Sequence, residues 1–113
     1  MSEPAPSYEL AVHSRARAEI DALATEYDTE DLKDRIRGAA TCRQPKTHPA
    51  VGQVEKYDEL LRVRGGGIRA LVAFEPPHLV LLVVGKRPGF YKRAPKTAMD
   101  RLREWRAFGE AGD

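Results

Sequence analysis

The feature that most constrains this chain is a series of three short apolar segments, each followed by residues that interrupt a strand. Residues 60–64 lead into three glycines, residues 68–74 into a pair of prolines, and residues 79–84 into a basic stretch. Glycine adopts the positive φ of a tight turn, and proline cannot occupy a paired central strand. This pattern predicts three neighbouring strands that run antiparallel.

The first third of the chain predicts one strand and two helices. Residues 8–13 alternate as a strand does, and Ser14 then has the side chain of a helix N-cap. Apolar residues recur at helical spacing in two runs, which are Ile20, Leu23, Ala24 and Tyr27, and then Leu32, Ile36 and Ala39 or Ala40. The connection between the runs is so short that the two helices should form an antiparallel hairpin.

The remaining segments complete an α+β fold with the order β-α-α-β-β-β-α. Residues 44–53 are interpreted as a loop, residues 85–94 as a basic loop, and residues 97–108 as a final helix. The prediction is an N-terminal helical hairpin packed on a small, twisted, mainly antiparallel sheet, with a C-terminal helix. Residues 1–6 are expected to be a flexible tail, and residues 7–113 a single domain.

Several kinds of site lack the residues they need. Cys42 is the only cysteine, and without an identifiable activating base it is interpreted as a buried helix residue. His13, His48 and His78 are too scattered for a ligand set, so no metal and no cofactor are expected. The longest apolar run, residues 79–84, is too short to cross a membrane, and no secretory pattern opens the chain. We therefore expect a cytoplasmic protein without a membrane partner.

The net charge of +2 conceals an uneven distribution along the chain. Residues 1–34 contain nine acidic and three basic residues, a charge of −6, so the remainder carries +8. A basic region of this kind predicts a polyanion or an acidic protein as partner. The alternative is that these lysines and arginines only solvate helix faces.

Arginines in the predicted strands suggest where an anion binds. Arg62 and Arg64 alternate with Leu61 and Val63, so they should project from the face opposite the core. Arg69 follows the glycine turn, which brings Arg62 or Arg64 close to it. Like charges opposite each other destabilise a sheet. An anionic ligand between the guanidinium groups would explain their arrangement.

Basic and aromatic residues are interleaved after the third strand. They are Lys86, Arg87, Phe90, Tyr91, Lys92, Arg93 and, further on, Lys96. Cations pair with phosphates and rings stack on bases, so this composition suits single-stranded nucleic acid. The alternative is that Phe90 and Tyr91 only cover an edge of the sheet.

These segments resemble the RelE/ParE toxin superfamily. Four features follow one another in that family's order. They are residues 57–64 (YDELLRVR), the glycines, residues 68–74 (IRALVAF), and residues 84–87 (VGKR) with an aromatic pair. The family has a helical hairpin before an antiparallel sheet, a YRLR-like strand and a closing VGHR or VGKR. The likeness covers residues 8 to about 108, and its motifs are short, so order and spacing carry it.

The resemblance implies the toxin of a type II toxin–antitoxin system. In the RelE branch such a toxin is a ribosome-dependent endoribonuclease (an mRNA interferase) that cleaves messenger RNA without a cofactor. The ribose 2′-hydroxyl attacks the adjacent phosphate and leaves a 2′,3′-cyclic phosphate. The implied partners are the ribosome, messenger RNA and a cognate antitoxin that holds the toxin inactive.

The resemblance also implies roles for individual residues. Arg69 and Arg87 align with two arginines that contact the scissile phosphate. Arg62 aligns with one of two lysines that act as base or charge stabiliser. Tyr91 lies two residues before the position of the family's carboxy-terminal tyrosine and is expected to reach a base or the attacking hydroxyl. The residues expected to bind RNA around these four are Arg64, Lys86, Phe90, Lys92, Arg93 and Lys96.

One departure from the family pattern keeps two other functions open. Leu60 occupies the position of the second lysine, and arginine is a poor general base because its pKa is too high. The chain is alternatively a RelE-fold RNA-binding protein with weak catalysis, or a ParE-like inhibitor of DNA gyrase that acts by protein–protein binding. The helix at residues 97–108 extends past the family's usual end, and either docks on ribosomal RNA or covers a sheet face with Trp105.

Overall fold

Five strands and three helices occupy residues 8–41, 48–87 and 89–108, the part of the chain that this computed structural model describes. They confirm the predicted α+β class. The expected tail at residues 1–6, and Cys42, lie outside the described residues. In chain order the elements are β1 (Glu9–Val12), α1 (Ser14–Leu23), α2 (Thr29–Thr41), β2 (Val51–Val54), β3 (Tyr57–Gly65), β4 (Ile68–Glu75), β5 (His78–Lys86) and α3 (Phe90–Phe108).

The strands form one mixed sheet in the order β1-β5-β4-β3-β2. β2, β3, β4 and β5 pair antiparallel in succession, whereas β1 pairs parallel with β5. Two-residue turns at Gly66-Gly67 and Pro76-Pro77 join the three long strands, and Gly66 has a φ of 62° that favours glycine. The apolar β5 is therefore an interior strand, with β4 at the centre of the sheet.

Both faces of the sheet are covered, because alternate residues of each strand point to opposite sides. On one face Ile20 of α1 and Leu32 and Ile36 of α2 pack on the sheet residues Leu61, Val63 and Ile68. On the other face Ala98 and Leu102 of α3 pack on the sheet residues Leu60, Leu71, Val80 and Leu82. Leu60, at 1% exposure, is thus a core residue on the same face as Arg62 and Arg64.

The predicted loop at residues 44–53 was wrong at its end, because Val51–Val54 is a strand. It pairs with β3, which places Gly52 opposite Arg62. The segment has only four residues, and Gly52 weakens the strand preference that Val51 and Val54 provide. It becomes a strand because the free edge of β3 supplies hydrogen-bond partners, which a local pattern cannot reveal.

The predicted basic loop at residues 85–94 was also wrong, because α3 begins at Phe90. Pro95 lies inside this helix, where it removes one backbone hydrogen bond. The helix forms because Phe90, Ala94, Ala98 and Leu102, spaced four apart, pack against the sheet. That spacing was the signal in the sequence. Along the described ranges, neither α3 nor another helix is long and apolar enough to span a membrane.

The start of α1 is held by His13 rather than by Ser14, which is the helix's first residue. The Nδ1 atom of His13 accepts the backbone N–H of Arg15 at 3.2 Å. The ring's hydrogen is therefore on Nε2, which donates to the Glu104 carboxylate at 3.1 Å. Buried His13 thus joins the start of α1 to α3.

Candidate functional site

The strand register places three arginines on one face, at the end of the sheet that α3 leaves open. Arg64 is directly opposite Arg69 on β4, and Arg69 is in turn opposite Gly85 on β5. Arg62 lies two residues from Arg64, so it projects from the same face. Arg87 follows β5, and its backbone N–H donates to the Gly67 carbonyl at 3.0 Å.

These side chains surround an open groove of about 360 Å³, called here the arginine groove. It contains six of the ten site residues that the sequence predicted, together with a glycine before α3. The lining residues are Arg62, Arg64, Arg69, Arg87, Gly89, Phe90 and Tyr91. Guanidinium groups distant in sequence therefore converge on one concave surface.

Arg69 is the most enclosed cation of the arginine groove, at 7% exposure. The two hydrogens on its Nη1 atom are donated to the carbonyls of Gly66, at 2.7 Å, and Ile68, at 2.8 Å. The N–H groups on Nε and Nη2 remain for a ligand. Burial lowers the pKa of Arg69 below the ordinary arginine value, and the cation of Arg87 lowers it further. The charged form of Arg69 is therefore disfavoured by burial and by neighbouring cations, and a bound anion would stabilise it.

Arg62 has a buried Nε atom with no hydrogen-bond partner among the described residues. Its guanidinium lies over Gly52 on β2, where a Cβ atom would overlap it. Glycine is therefore required at position 52 if Arg62 keeps this position. The role of Gly52 could not be predicted from the sequence, because only the pairing of β2 with β3 shows what it touches.

No carboxylate among the described residues lies within ion-pair distance of the four groove arginines. Elsewhere in the described chain, arginines are commonly paired with acids. Those pairs include Arg35 with Asp31, Arg37 with Asp34, Arg101 with Glu19, Arg103 with Asp100, and Arg106 with Glu59 and Glu75. The positive charge of the arginine groove is thus left uncompensated by the described residues.

The first turn of α3 forms one wall of the arginine groove. The ring of Phe90 lies against Gly85, where a Cβ atom would overlap it, and meets Tyr91 edge-on with 5.0 Å between ring centres. The first backbone N–H groups of a helix have no partner within the helix and carry a partial positive charge. The Lys92 N–H donates to the Gly89 carbonyl at 3.2 Å, and the positive end of the helix dipole lies at Phe90 and Tyr91, which line the groove.

Four predicted RNA-binding residues do not line the arginine groove. Lys92, Arg93 and Lys96 are exposed on the beginning of α3, a helix where a loop was expected. Lys86 is opposite Ile68, which is buried under α1 and α2, so the Lys86 side chain projects from the other face of the sheet. Sequence proximity to Arg87 suggested otherwise, but strand alternation separates the two.

The arginine groove can bind an anion and donate hydrogen bonds to it, but its lining includes no imidazole and no carboxylate that could act as a general base. His13 is committed to Glu104, His48 accepts the Ala50 N–H, and His78 lies against Trp105. Tyr91, at 40% exposure, offers a phenol. Within the described ranges no group of three or more histidine, cysteine or acidic side chains could hold a metal ion.

In comparisons with known proteins, no family model matched this chain, and no curated protein matched it either. The likeness to the RelE/ParE superfamily therefore stands on short motifs and their order.

Proposed function

We propose that this protein is a RelE-like toxin whose arginine groove binds and cleaves single-stranded messenger RNA on the ribosome. The observation that carries the proposal is the convergence of Arg62, Arg64, Arg69 and Arg87 without a carboxylate partner among the described residues. A phosphodiester supplies the missing negative charge, and guanidinium groups bind its oxygens in bidentate geometry.

The aromatic wall favours a single strand over a duplex. Phe90 and Tyr91 line the same groove as the arginines. Rings can stack only on bases that are free of a complementary strand. RNA is preferred to DNA because the cleavage reaction uses the ribose 2′-hydroxyl.

In the proposed reaction the 2′-oxygen forms a bond to the adjacent phosphorus, and the bond from phosphorus to the 5′-oxygen breaks. Arg69 and Arg87 neutralise the charge that develops on the phosphate oxygens. The Tyr91 phenol donates a proton to the departing 5′-oxygen, and the proton of the 2′-hydroxyl passes to water. Arg62 favours the attacking oxyanion by its charge. The products are a 2′,3′-cyclic phosphate and a 5′-hydroxyl.

The cellular setting is proposed from the family resemblance. The toxin acts in the cytoplasm on messenger RNA held by the ribosome, and a cognate antitoxin of a type II system neutralises it. A proteinaceous inhibitor is consistent with the open, strongly cationic groove, since an acidic segment can occupy it in place of RNA.

A second candidate is a protein of the same fold that binds RNA without efficient cleavage. The groove lining contains no side chain whose ordinary pKa lies near neutrality, and Leu60 is buried beneath α3. General base catalysis typically contributes a factor of about 10²–10⁴. Its absence would leave binding intact while slowing the reaction.

The proposal is tested by measuring cleavage of messenger RNA on translating ribosomes and mapping the new ends. We expect 2′,3′-cyclic phosphate ends with the wild type, and a loss of about 10²–10³-fold in rate for Arg69→Ala and for Arg87→Ala. Arg15→Ala is the matched control, because Arg15 is an exposed arginine on α1, remote from the groove.

The result separates the candidates. Binding to RNA without new ends, lost in the two groove variants, would support the second candidate. If the groove variants behave like the wild type, the RNA proposal is wrong. Expression in bacteria that induces a DNA-damage response before translation stops would instead indicate the ParE-like gyrase inhibitor.

A further inference from the structure

A second cavity adjoins the arginine groove and shares two of its walls. It measures about 530 Å³, and Arg62 and Tyr91 line both spaces. It lies where the turn between β2 and β3 faces the first turns of α3. The full lining is Gln53, Val54, Glu55, Lys56, Tyr57, Arg62, Tyr91 and Pro95.

The chemistry of this cavity differs from that of the arginine groove. Glu55 brings a carboxylate, Gln53 an amide, and Tyr57 and Tyr91 two phenol rings. Lys56 and Arg62 also line this cavity, so what distinguishes it from the arginine groove is the pair of hydrogen-bond acceptors that Glu55 and Gln53 supply. An uncharged, flat group with hydrogen-bond donors on its edge fits the mixture of rings and polar side chains.

Both rings line the cavity. Tyr57 is half-buried, packs against the core beneath α3 and makes no ring–ring contact among the described residues, while the exposed ring of Tyr91 is nearly perpendicular to that of Phe90. A nucleobase that follows or precedes a phosphate in the arginine groove lies only one sugar away. Stacking on aromatic side chains holds such bases in single-stranded complexes.

Glu55 selects among the four bases by its hydrogen-bonding capacity. An ionised carboxylate only accepts hydrogen bonds, and it can accept two side by side. Guanine presents two adjacent donors, N1–H and the N2 amino group, whereas the other three bases do not. We infer that this cavity binds the guanine of the nucleotide adjoining the phosphate in the arginine groove, with Glu55 as the specificity-determining residue.

A tight turn brings three residues to the cavity. Lys56, the second residue of this two-residue turn, has a φ of 70°, a left-handed conformation that tight turns often require. Here the turn carries Gln53, Glu55 and Tyr57 to the cavity wall.

The inference rests on the proposed RNA binding, and its test separates the two. Fluorescein-labelled uridine pentanucleotides with a central 2′-deoxy nucleotide resist cleavage at that position, and their affinities are measured by anisotropy. With the wild type, a central guanine should bind at least about fivefold tighter than adenine, cytosine or uracil. Hypoxanthine, which lacks the N2 amino group, should lose most of this preference.

Glu55→Gln should reduce the guanine preference to less than about twofold and leave the affinity for the all-uridine strand unchanged. Glu55 is exposed and has no side-chain partner among the described residues, so the fold is not at risk. Asp58→Asn is the matched control, since it removes an exposed carboxylate that does not line the cavity, and it should keep the preference. Arg69→Ala should weaken all strands by a similar factor, about tenfold or more.

Equal affinity for all four central bases, or a guanine preference that survives Glu55→Gln, would overturn the inference. If Arg69→Ala still weakens every strand in that case, the proposed RNA binding stands without the base cavity. If no pentanucleotide binds the wild type, the inference is overturned, whereas new 2′,3′-cyclic phosphate ends on ribosome-bound messenger RNA would leave the proposed function standing.

Discussion

Arg64 and Arg69 are cross-strand neighbours of like charge, an arrangement that costs stability. They are directly opposite each other on β3 and β4, and the charge of Arg64 contributes to the lowered pKa of Arg69. Opposed like charges destabilise a sheet by about 0.2–1 kcal/mol. The protein thus gives up stability for a groove that a phosphate would stabilise.

We therefore expect Arg64→Gln to raise the free energy of unfolding by about 0.2–1 kcal/mol. Urea denaturation in low salt measures the gain, which should shrink at high salt because exposed charges are screened. Lys86→Gln is the comparison, since Lys86 lies at the same end of the sheet but opposite Ile68. A loss of stability on replacing Arg64 would show that its charge has a partner.

At the scale of elements, a side-chain pair completes the sheet where β1 ends. β1 pairs with β5 only as far as Leu81. Beyond it, the Glu19 carboxylate accepts the Val84 N–H at 3.0 Å, and Arg101 donates to the Leu82 carbonyl at 2.8 Å. Arg101 also donates to Glu19 at 2.8 and 2.9 Å. This pair fixes the end of β5 that leads to Arg87.

Replacing Glu19 by alanine should lower the free energy of unfolding by about 1–3 kcal/mol. The substitution leaves the Val84 N–H without its acceptor and the buried Arg101 without its carboxylate. Thermal or urea denaturation measures the loss, and Asp21→Ala, on the same helix but exposed, should change stability by less than about 0.5 kcal/mol. Equal losses of stability for Glu19→Ala and Asp21→Ala would mean that the pair of Glu19 and Arg101 contributes nothing to the free energy of unfolding.

At the scale of the whole molecule, the sheet separates charges of opposite sign. The segment from α1 to α2, residues 14–41, has seven acidic and five basic residues, a charge of −2, while the arginine groove opens on the face of α3. A polyanion is therefore attracted to the groove and not to the face covered by α1 and α2. Such steering is strongly dependent on salt.

The affinity for single-stranded RNA should consequently fall as salt rises, with a log–log slope of about −0.7 for each phosphate that is neutralised. Arg87→Gln should reduce the steepness by about 0.7, because it removes one such contact. Anisotropy titrations over a range of salt concentrations give both slopes. Arg15→Gln, on the side of α1, should leave the slope as it is, and a slope near zero for the wild type would refute electrostatic binding.

Part of the candidate site could be predicted from local pattern. Alternation along β3 was sufficient to place Arg62 and Arg64 away from Leu61 and Val63, because period two is a property of every strand. Lys86 was grouped with Arg87 because the two are adjacent in sequence, whereas alternation places the Lys86 side chain on the other face of the sheet. The contact of Gly52 with Arg62 and the cavity beside Tyr57 were not predicted, because both form only when β2 pairs with β3.

The sequence by itself determined the α+β class, the long strands and their turns, since apolar periodicity and the limits on glycine and proline act over a few residues. Only the tertiary structure decided that Val51–Val54 is a strand, that α3 starts at Phe90, and which side chains share a groove. These outcomes depend on partners far apart in the chain, whose hydrogen bonds and buried surface outweigh weak local preferences.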